Sequence, residues 1–224
     1  VKRLGNIQGE RWSTHDLTWN LKPLRSKEDS SGIEPGVIRR EISTALGLWS
    51  ADSSLRFKEI HGEDKADIEI SFERLNHKDG YPFDGPGSVL AHAFFPGNSR
   101  GGDIHFDAEE TWTSKRASHL SRDGVASIYG VALHEIGHSL GLSHSPKENS
   151  IMFPWYSESE KLNELPLPDR EAIQEVYGKP RRGYRDETLE STRRNTYRTT
   201  TARTTTTRRP YPRTTITTTP GQLH

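Results

Sequence analysis

Three histidines in the second half of the chain have the spacing of a metal site. His134 and His138 are four residues apart, and His144 follows them beyond Gly141. On a helix, residues four apart lie on one face, so the first two imidazoles can point at one ion. A glycine ends a helix readily because it enters the left-handed backbone region, which lets the chain turn and bring in a third nitrogen.

Glu135 adds the group that such a site needs for catalysis. Three protein ligands leave a fourth position open, as in catalytic rather than structural zinc sites. There, zinc lowers the pKa of a bound water to about 7 and polarises a substrate carbonyl, while Glu135 takes the proton. The alternative is a polar helix face on which histidines fall by chance. The five-residue core of the motif often arises by chance, but its extension through Gly141 to His144 is far more specific.

A loop-rich segment earlier in the chain carries a second set of potential ligands. Three imidazoles and one carboxylate are enough for a closed tetrahedral zinc; they belong to His77, Asp79, His92 and His105. Carboxylates among glycines, whose carbonyl groups can approach a cation, suit calcium; they are Asp67, Asp84, Asp103, Asp107 and Glu110. Taken alone, these residues could equally be solvated loop side chains, because carboxylates are common on surfaces.

The elements that must position these groups indicate an α/β domain. Helical spacing of apolar residues predicts helices over 35–49, 127–140 and 169–177. Alternating patterns predict strands over 12–21, 55–60, 67–72, 89–95 and 104–106. A helix joins the first strand to the second, and such crossovers connect parallel strands. A mostly parallel sheet is therefore expected.

Together these features resemble the catalytic domain of a matrix metalloproteinase, or matrixin, over residues 11–178. The matching stretches are 11–19, 45–50, 66–72, 77–97 and 101–107. An astacin-like enzyme would bring cysteines, and this chain has none. The resemblance implies an α/β fold of the α+β metzincin type. It would have a twisted five-stranded, mostly parallel sheet, three helices and a zinc cleft between an upper and a lower subdomain.

The resemblance also implies a role for each potential ligand. The catalytic zinc would use His134, His138 and His144, and the structural zinc His77, Asp79, His92 and His105. One calcium would use Asp84, Gly85, Gly87, Val89, Asp107 and Glu110, and a second Asp67, Ser99, Gly101 and Asp103. Ser99 stands where the family usually has glycine, which weakens the second calcium site only slightly because the ligand is a backbone carbonyl.

Further positions follow from the same resemblance. Met152, the only methionine, would form the turn beneath the catalytic zinc. The substrate pocket would be lined by Gly130, Val131, Pro154 and Tyr156. Gly130 replaces a larger residue, so a roomy pocket for long apolar side chains is expected. Pro168 replaces the first of two acids that usually open the last helix; Asp169 keeps the second and would support the methionine turn.

Composition divides the chain into two unlike parts. Residues 185–224 contain 15 threonines and eight arginines against three acids, a net charge of +5; the first 184 residues carry −5, because the whole chain is neutral. Such a tail cannot bury enough apolar surface to offset its ordering entropy. We therefore expect a catalytic domain over 1–180 and a disordered Thr/Arg/Pro-rich linker or stalk over 181–224. This tail is either a plain spacer or a binder of sulfated glycans through its arginines.

The expected function is that of a secreted or cell-surface zinc endopeptidase that cleaves matrix or other extracellular proteins. Implied cofactors are zinc and calcium, and implied partners are protein substrates and tissue inhibitors of metalloproteinases. No apolar run is long enough to span a membrane, and no nucleic acid is expected; any tether would lie in a further C-terminal region. Two other classes compete, an inactive matrix-binding module and a small-molecule metallohydrolase. An intact Glu135 disfavours the first, and an open cleft beside an edge strand disfavours the second.

Overall fold

A five-stranded sheet forms the framework of the domain. The computed structural model describes residues 10–62, 64–114, 124–155 and 164–180. In these residues the sheet contains β1 (Asp16–Leu21), β2 (Arg56–Glu59), β3 (Ile68–Glu73), β4 (Ala91–Ala93) and β5 (Ile104–Asp107). Their spatial order is β2-β1-β3-β5-β4, and only the β4–β5 pair is antiparallel. The expected five-stranded, mostly parallel sheet is confirmed.

Three helices accompany this sheet in the described residues, also as expected. They are α1 (Pro35–Asp52), α2 (Ile128–Ser139) and α3 (Leu167–Tyr177). α1 starts with proline, whose fixed φ suits the first helical position, and it buries a stripe that includes Ile38, Ile42 and Trp49. α2 has Ser127 as its N-cap, which accepts a hydrogen bond from the Gly130 amide. Every residue of α2 is buried, so this helix runs through the interior.

Element boundaries differ from the sequence prediction in several places. The first strand begins at Asp16 instead of residue 12, because Trp12 packs elsewhere: its indole donates to the Ser139 carbonyl, 2.9 Å away. The strand predicted over 89–95 shortens to Ala91–Ala93. α1 extends to Asp52, and α3 begins two residues early at Leu167, since proline is tolerated in the first turn of a helix.

Two short elements were missed by the sequence prediction. A 3-10 helix covers Glu28–Ser30. A parallel two-stranded sheet pairs β6 (Thr111–Thr113) with β7 (Val125–Ser127), directly before α2. Each strand has three residues, too few to show an alternating pattern.

Gly137 allows the closest packing in the core around α2. A Cβ atom there would overlap Met152 Sδ and would lie 3.0 Å from Met152 Cε and 3.1 Å from Trp49 Cζ2. Trp49 is fully buried, and its indole donates to the Leu133 carbonyl across 3.0 Å. α1, α2 and the Met152 turn therefore meet at a point where only glycine fits.

No helix in the described parts of the chain is long and apolar enough to cross a membrane. The tail over 181–224 and pocket residue Tyr156 lie outside the described residues.

Candidate active site and metal centres

The three histidines of the extended motif converge. One ring nitrogen of each lies within 4.8 Å of those of the others, and Nε2 of His134 is 3.0 Å from Nε2 of His138. His134 and His138 are buried on α2, whereas His144, which follows the turn at Gly141, is half-buried. Nε2 of His144 is buried and has no partner among the described residues. The group lies between Phe95, whose ring contacts that of His138, and the segment that follows α2.

Backbone carbonyls fix the orientation of two of these rings. Nδ1 of His134 lies 2.7 Å from the Ile151 carbonyl oxygen, and Nδ1 of His138 lies 2.7 Å from that of Leu142. A carbonyl can only accept, so each Nδ1 must carry the proton. Nε2 of each ring therefore presents its lone pair to the centre of the group, which is the tautomer that metal ligation needs.

Burial keeps the three imidazoles neutral. It lowers the pKa of His134 to about 3, with the nearby His144 adding to the effect. Burial likewise lowers the pKa of His138 well below its usual value and lowers that of His144. Neutral imidazole is the form that binds a cation. The donor set and its protonation therefore fit zinc.

Glu135 is a fully buried carboxyl group. Neither carboxylate oxygen has a hydrogen-bond partner in the described residues, and the side chain is 0% exposed. Burial raises its pKa well above the usual value. An unpaired buried carboxyl is costly to keep. Nearby positive charge of a bound cation would offset that cost, which is a second indication that a metal belongs here.

Asp169 holds the turn that contains Met152. Its carboxylate accepts hydrogen bonds from Ser150 Oγ at 2.6 Å, the Ile151 amide at 2.9 Å and the Met152 amide at 3.3 Å. The Ile151 carbonyl in turn binds His134. Asp169 therefore acts on the orientation of His134 through one peptide unit.

In the second histidine group, His77, His92 and His105 surround the carboxylate of Asp79. Its Oδ2 lies 2.7 Å from Nε2 of His77, 2.8 Å from Nε2 of His92 and 3.0 Å from Nδ1 of His105. Burial favours the neutral carboxyl, but the Tyr81 amide and the histidines lower the pKa of Asp79 to about 2. Burial lowers the pKa of His105 to about 4. A carboxylate and three imidazoles thus share one point, as a closed four-ligand zinc requires.

The residues expected to bind the first calcium also gather in one loop region. Asp107 is fully buried and its Oδ2 has no partner among the described residues. Oε1 of Glu110 accepts from the Gly87 amide at 2.6 Å, and Asp84 Oδ1 accepts from the Val89 amide at 3.4 Å. Burial and the carboxylates of Asp107 and Asp84 raise the pKa of Glu110 to about 7. This excess of buried acid fits a hard divalent cation.

The residues expected to bind the second calcium adjoin the start of β3. Asp103 is 7% exposed and its Oδ1 has no partner in the described part of the chain. The carboxylate of Asp67 is occupied, because Oδ2 accepts from the Thr18 amide and hydroxyl at 2.7 Å each. The Asp67 carbonyl oxygen faces the loop, 2.8 Å from the point where a Cβ on Gly102 would lie. One carboxylate oxygen of Asp67 is therefore engaged within the protein, and its backbone carbonyl lies beside Gly102.

The predicted pocket residues lie on both sides of the catalytic histidines in the sequence. Gly130 and Val131 are buried at the start of α2, and Pro154 is half-buried after the Met152 turn. The carbonyls of Ile151 and Leu142 were missed as ring-orienting groups. Nothing in the sequence signals them, because every residue has a carbonyl and only the fold selects these two.

Comparison with known proteins agrees with this geometry. The chain matches the matrixin family over residues 11–178. It is 50% identical over 172 residues to matrix metalloproteinase-2 of Drosophila melanogaster, covering 77% of this chain and 22% of that protein. It is 41% identical over 183 residues to matrix metalloproteinase-25 of Mus musculus, covering 80% of this chain and 29% of the relative. For human neutrophil collagenase the identity is 41% over 169 residues, covering 75% of this chain and 33% of the relative.

The chain thus spans about a third or less of the length of these relatives. Matrixins use catalytic zinc, structural zinc and calcium, and the donor groups described above suit all three. On the match over 11–178 and on identities of 41–50% to matrix metalloproteinases, the chain belongs to the matrixin family of zinc metalloendopeptidases.

Proposed function

We propose that this chain contains an extracellular zinc endopeptidase domain over residues 1–180, followed by a Thr/Arg/Pro-rich linker or stalk over 181–224. The family match over 11–178 supports the extent of the endopeptidase domain. The change of composition near residue 180 supports the start of the linker or stalk.

The observation that carries the catalytic proposal is the buried carboxyl of Glu135, which follows the ligand His134 directly in the chain and has no hydrogen-bond partner among the described residues. Zinc bound there would supply a Lewis acid that acidifies water and polarises a carbonyl. Glu135 would accept the proton of the attacking water on its free carboxylate and then donate it to the leaving amine. A matrix-binding module would have no use for a costly unpaired acid in this place.

A peptide substrate is favoured over a small molecule by the edge of the sheet. Among the described residues β4 pairs with β5 alone, so its other side is available to an extended chain. A peptide that adds antiparallel to residues 88–94 would gain backbone hydrogen bonds, and side-chain pockets would provide selectivity. Matrix and other extracellular proteins are the proposed substrates.

Selectivity after the cut site is proposed to depend on Gly130. With no side chain at this position, the pocket would accept long apolar groups. Peptides with Leu at that subsite should therefore be cut faster than those with Ala. Equal rates for the two peptides would contradict the assignment.

The test of the catalytic proposal is a fluorogenic peptide assay with and without a zinc chelator, in parallel with metal analysis. Glu135→Gln should lower kcat/KM by about 10²- to 10⁴-fold with zinc content unchanged. Glu148→Gln, an exposed residue on the loop before Met152, is the matched control and should leave turnover unchanged. Turnover retained by Glu135→Gln would exclude the assigned role. Chelator-insensitive turnover would exclude zinc catalysis altogether.

The metal assignments are part of the same proposal. Catalytic zinc would be held by the histidines of the extended motif, structural zinc by the group around Asp79, and calcium by the two loop sets. Metal analysis should find about two zinc ions per chain as well as calcium.

The tail is proposed to bind sulfated glycans through its ten arginines, with a plain spacer as the competing interpretation. Such binding is electrostatic and falls as salt screens the charges. The full chain should elute later from heparin than a chain truncated after residue 180. Identical elution would favour the spacer. Tissue inhibitors of metalloproteinases are proposed partners of the catalytic cleft.

A further inference from the structure

Lys65 reaches into the ligand set proposed for the second calcium ion. Its ammonium group donates a hydrogen bond to the Ser99 carbonyl oxygen, one of the proposed calcium ligands. Lys65 itself is exposed and makes no ion pair among the described residues. Ser99 holds a left-handed conformation with φ 67°. The ammonium therefore contacts an oxygen that calcium would also need.

Ammonium groups of the protein already lie among the acids around this site. Asp67, Asp103 and Glu69 supply carboxyl groups, and Lys65 and Lys22 supply two ammonium groups; Lys22 Nζ lies 2.6 Å from Glu69. Burial and the charge of Glu69 raise the pKa of Asp103 to about 6, while Lys65 and Lys22 act in the opposite direction.

The first calcium set is different. Asp84, Asp107 and Glu110 are three carboxyl groups, and no Lys or Arg of the described chain lies within hydrogen-bonding distance of them. The guanidinium of Arg74 pairs with Asp29 and Glu109. Calcium at the first set relieves an uncompensated negative charge, whereas calcium at the second set must displace a cation.

We propose that Lys65 competes with calcium for the second site. Its ammonium group binds the Ser99 carbonyl oxygen. Calcium binding to that oxygen would require the ammonium group to move away, which the flexible and exposed four-carbon stem of Lys65 permits. The second site is consequently the weaker of the two, and Lys65 sets its affinity. This inference rests on the proposed calcium ligands but not on peptidase activity.

The test is calcium titration by calorimetry of the full, zinc-loaded chain after removal of calcium. The wild-type chain should show two unequal binding steps. Lys65→Gln removes the competing charge and should lower the Kd of the weaker binding step about tenfold. The effect is of this size because the variant removes one unit charge beside a divalent ion at a largely exposed site. The stronger step should stay unchanged. Lys58→Gln, an exposed lysine on β2, is the matched control and should leave both steps unaltered.

Other results would overturn the proposal. The same weak step in Lys65→Gln and wild type would show that Lys65 does not compete. Equal tightening of both steps, or the same change in Lys58→Gln, would indicate only a change in overall charge. Adding Asp103→Asn to the Lys65→Gln variant should abolish the weaker calcium-binding step. If that step remained, the calcium ion would be bound at another site. If neither the wild-type chain nor any variant bound calcium, both the assignment of the calcium ligands and this proposal would be wrong. The proposed role of Glu135 would not be affected.

Discussion

Replacing Gly137 by alanine tests whether the zinc helix and the Met152 turn are packed as closely as described. The added Cβ would overlap Met152 Sδ and lie 3.1 Å from Trp49 Cζ2. Trp49 is 0% exposed and Met152 is 1% exposed, so neither can move into solvent. The core must therefore deform or the turn must shift.

The net cost combines two opposing effects. Overpacking a tight core costs about 1–3 kcal/mol, and direct overlap with a buried sulfur places this site at the upper end. Alanine is favoured over glycine inside a helix by about 1 kcal/mol. We therefore expect Gly137→Ala to lower the free energy of unfolding by about 2 kcal/mol. For a domain of this size that corresponds to a fall in Tm of about 4–8 °C.

Gly36→Ala provides the control with the same chemical change. Gly36 lies in α1, and a Cβ there would have no neighbour within 4 Å. It should raise the free energy of unfolding, by up to about 1 kcal/mol. Both variants are measured by thermal unfolding at saturating zinc and calcium, because bound ions shift Tm by mass action.

A second readout follows from the position of the turn. The Ile151 carbonyl fixes His134, so a displaced turn should weaken zinc binding by about 10- to 100-fold, as the loss of ligand-orienting groups does. If Gly137→Ala were as stable as wild type and kept its zinc affinity, the close approach of Met152 would be refuted.

Three further changes test other contacts. Asp169→Asn replaces an acceptor of three hydrogen bonds with an amide and should cost about 2–3 kcal/mol in urea unfolding; an unchanged midpoint would contradict the support of the turn. Trp12→Phe removes the hydrogen bond from the indole to the Ser139 carbonyl and should lower the free energy of unfolding by about 1 kcal/mol. An unchanged free energy of unfolding would show that this bond does not form. Removing calcium with a selective chelator should lower Tm, and added calcium at about 100 times Kd should restore about 2.7 kcal/mol for each site; a Tm insensitive to calcium would argue against both sites.

Much of the site was predictable from the sequence because its chemistry depends on side-chain type. The spacing of His134, His138 and His144 indicates a shared ion before any coordinate is known. The same holds for the expected role of Asp169, whose carboxylate does bind the Met152 turn.

The rest depends on contacts that no local pattern encodes. Trp12 fits an alternating strand pattern by itself, yet it leaves the strand because its indole and amide find partners on α2 and α3. Lys65 looks like an ordinary surface residue in the sequence. Its contact with Ser99 joins positions 34 residues apart, and only the folded loops bring them together.

The contact between Trp12 and Tyr177 determines how the domain would transmit force. The Trp12 amide donates to the Tyr177 hydroxyl at 3.2 Å, and that hydroxyl donates to the Leu140 carbonyl at 2.8 Å. Residues near the two ends of the described domain therefore lie close together, as is common for domains. Tension along the chain would pass through this junction and largely bypass the sheet and the histidines of α2.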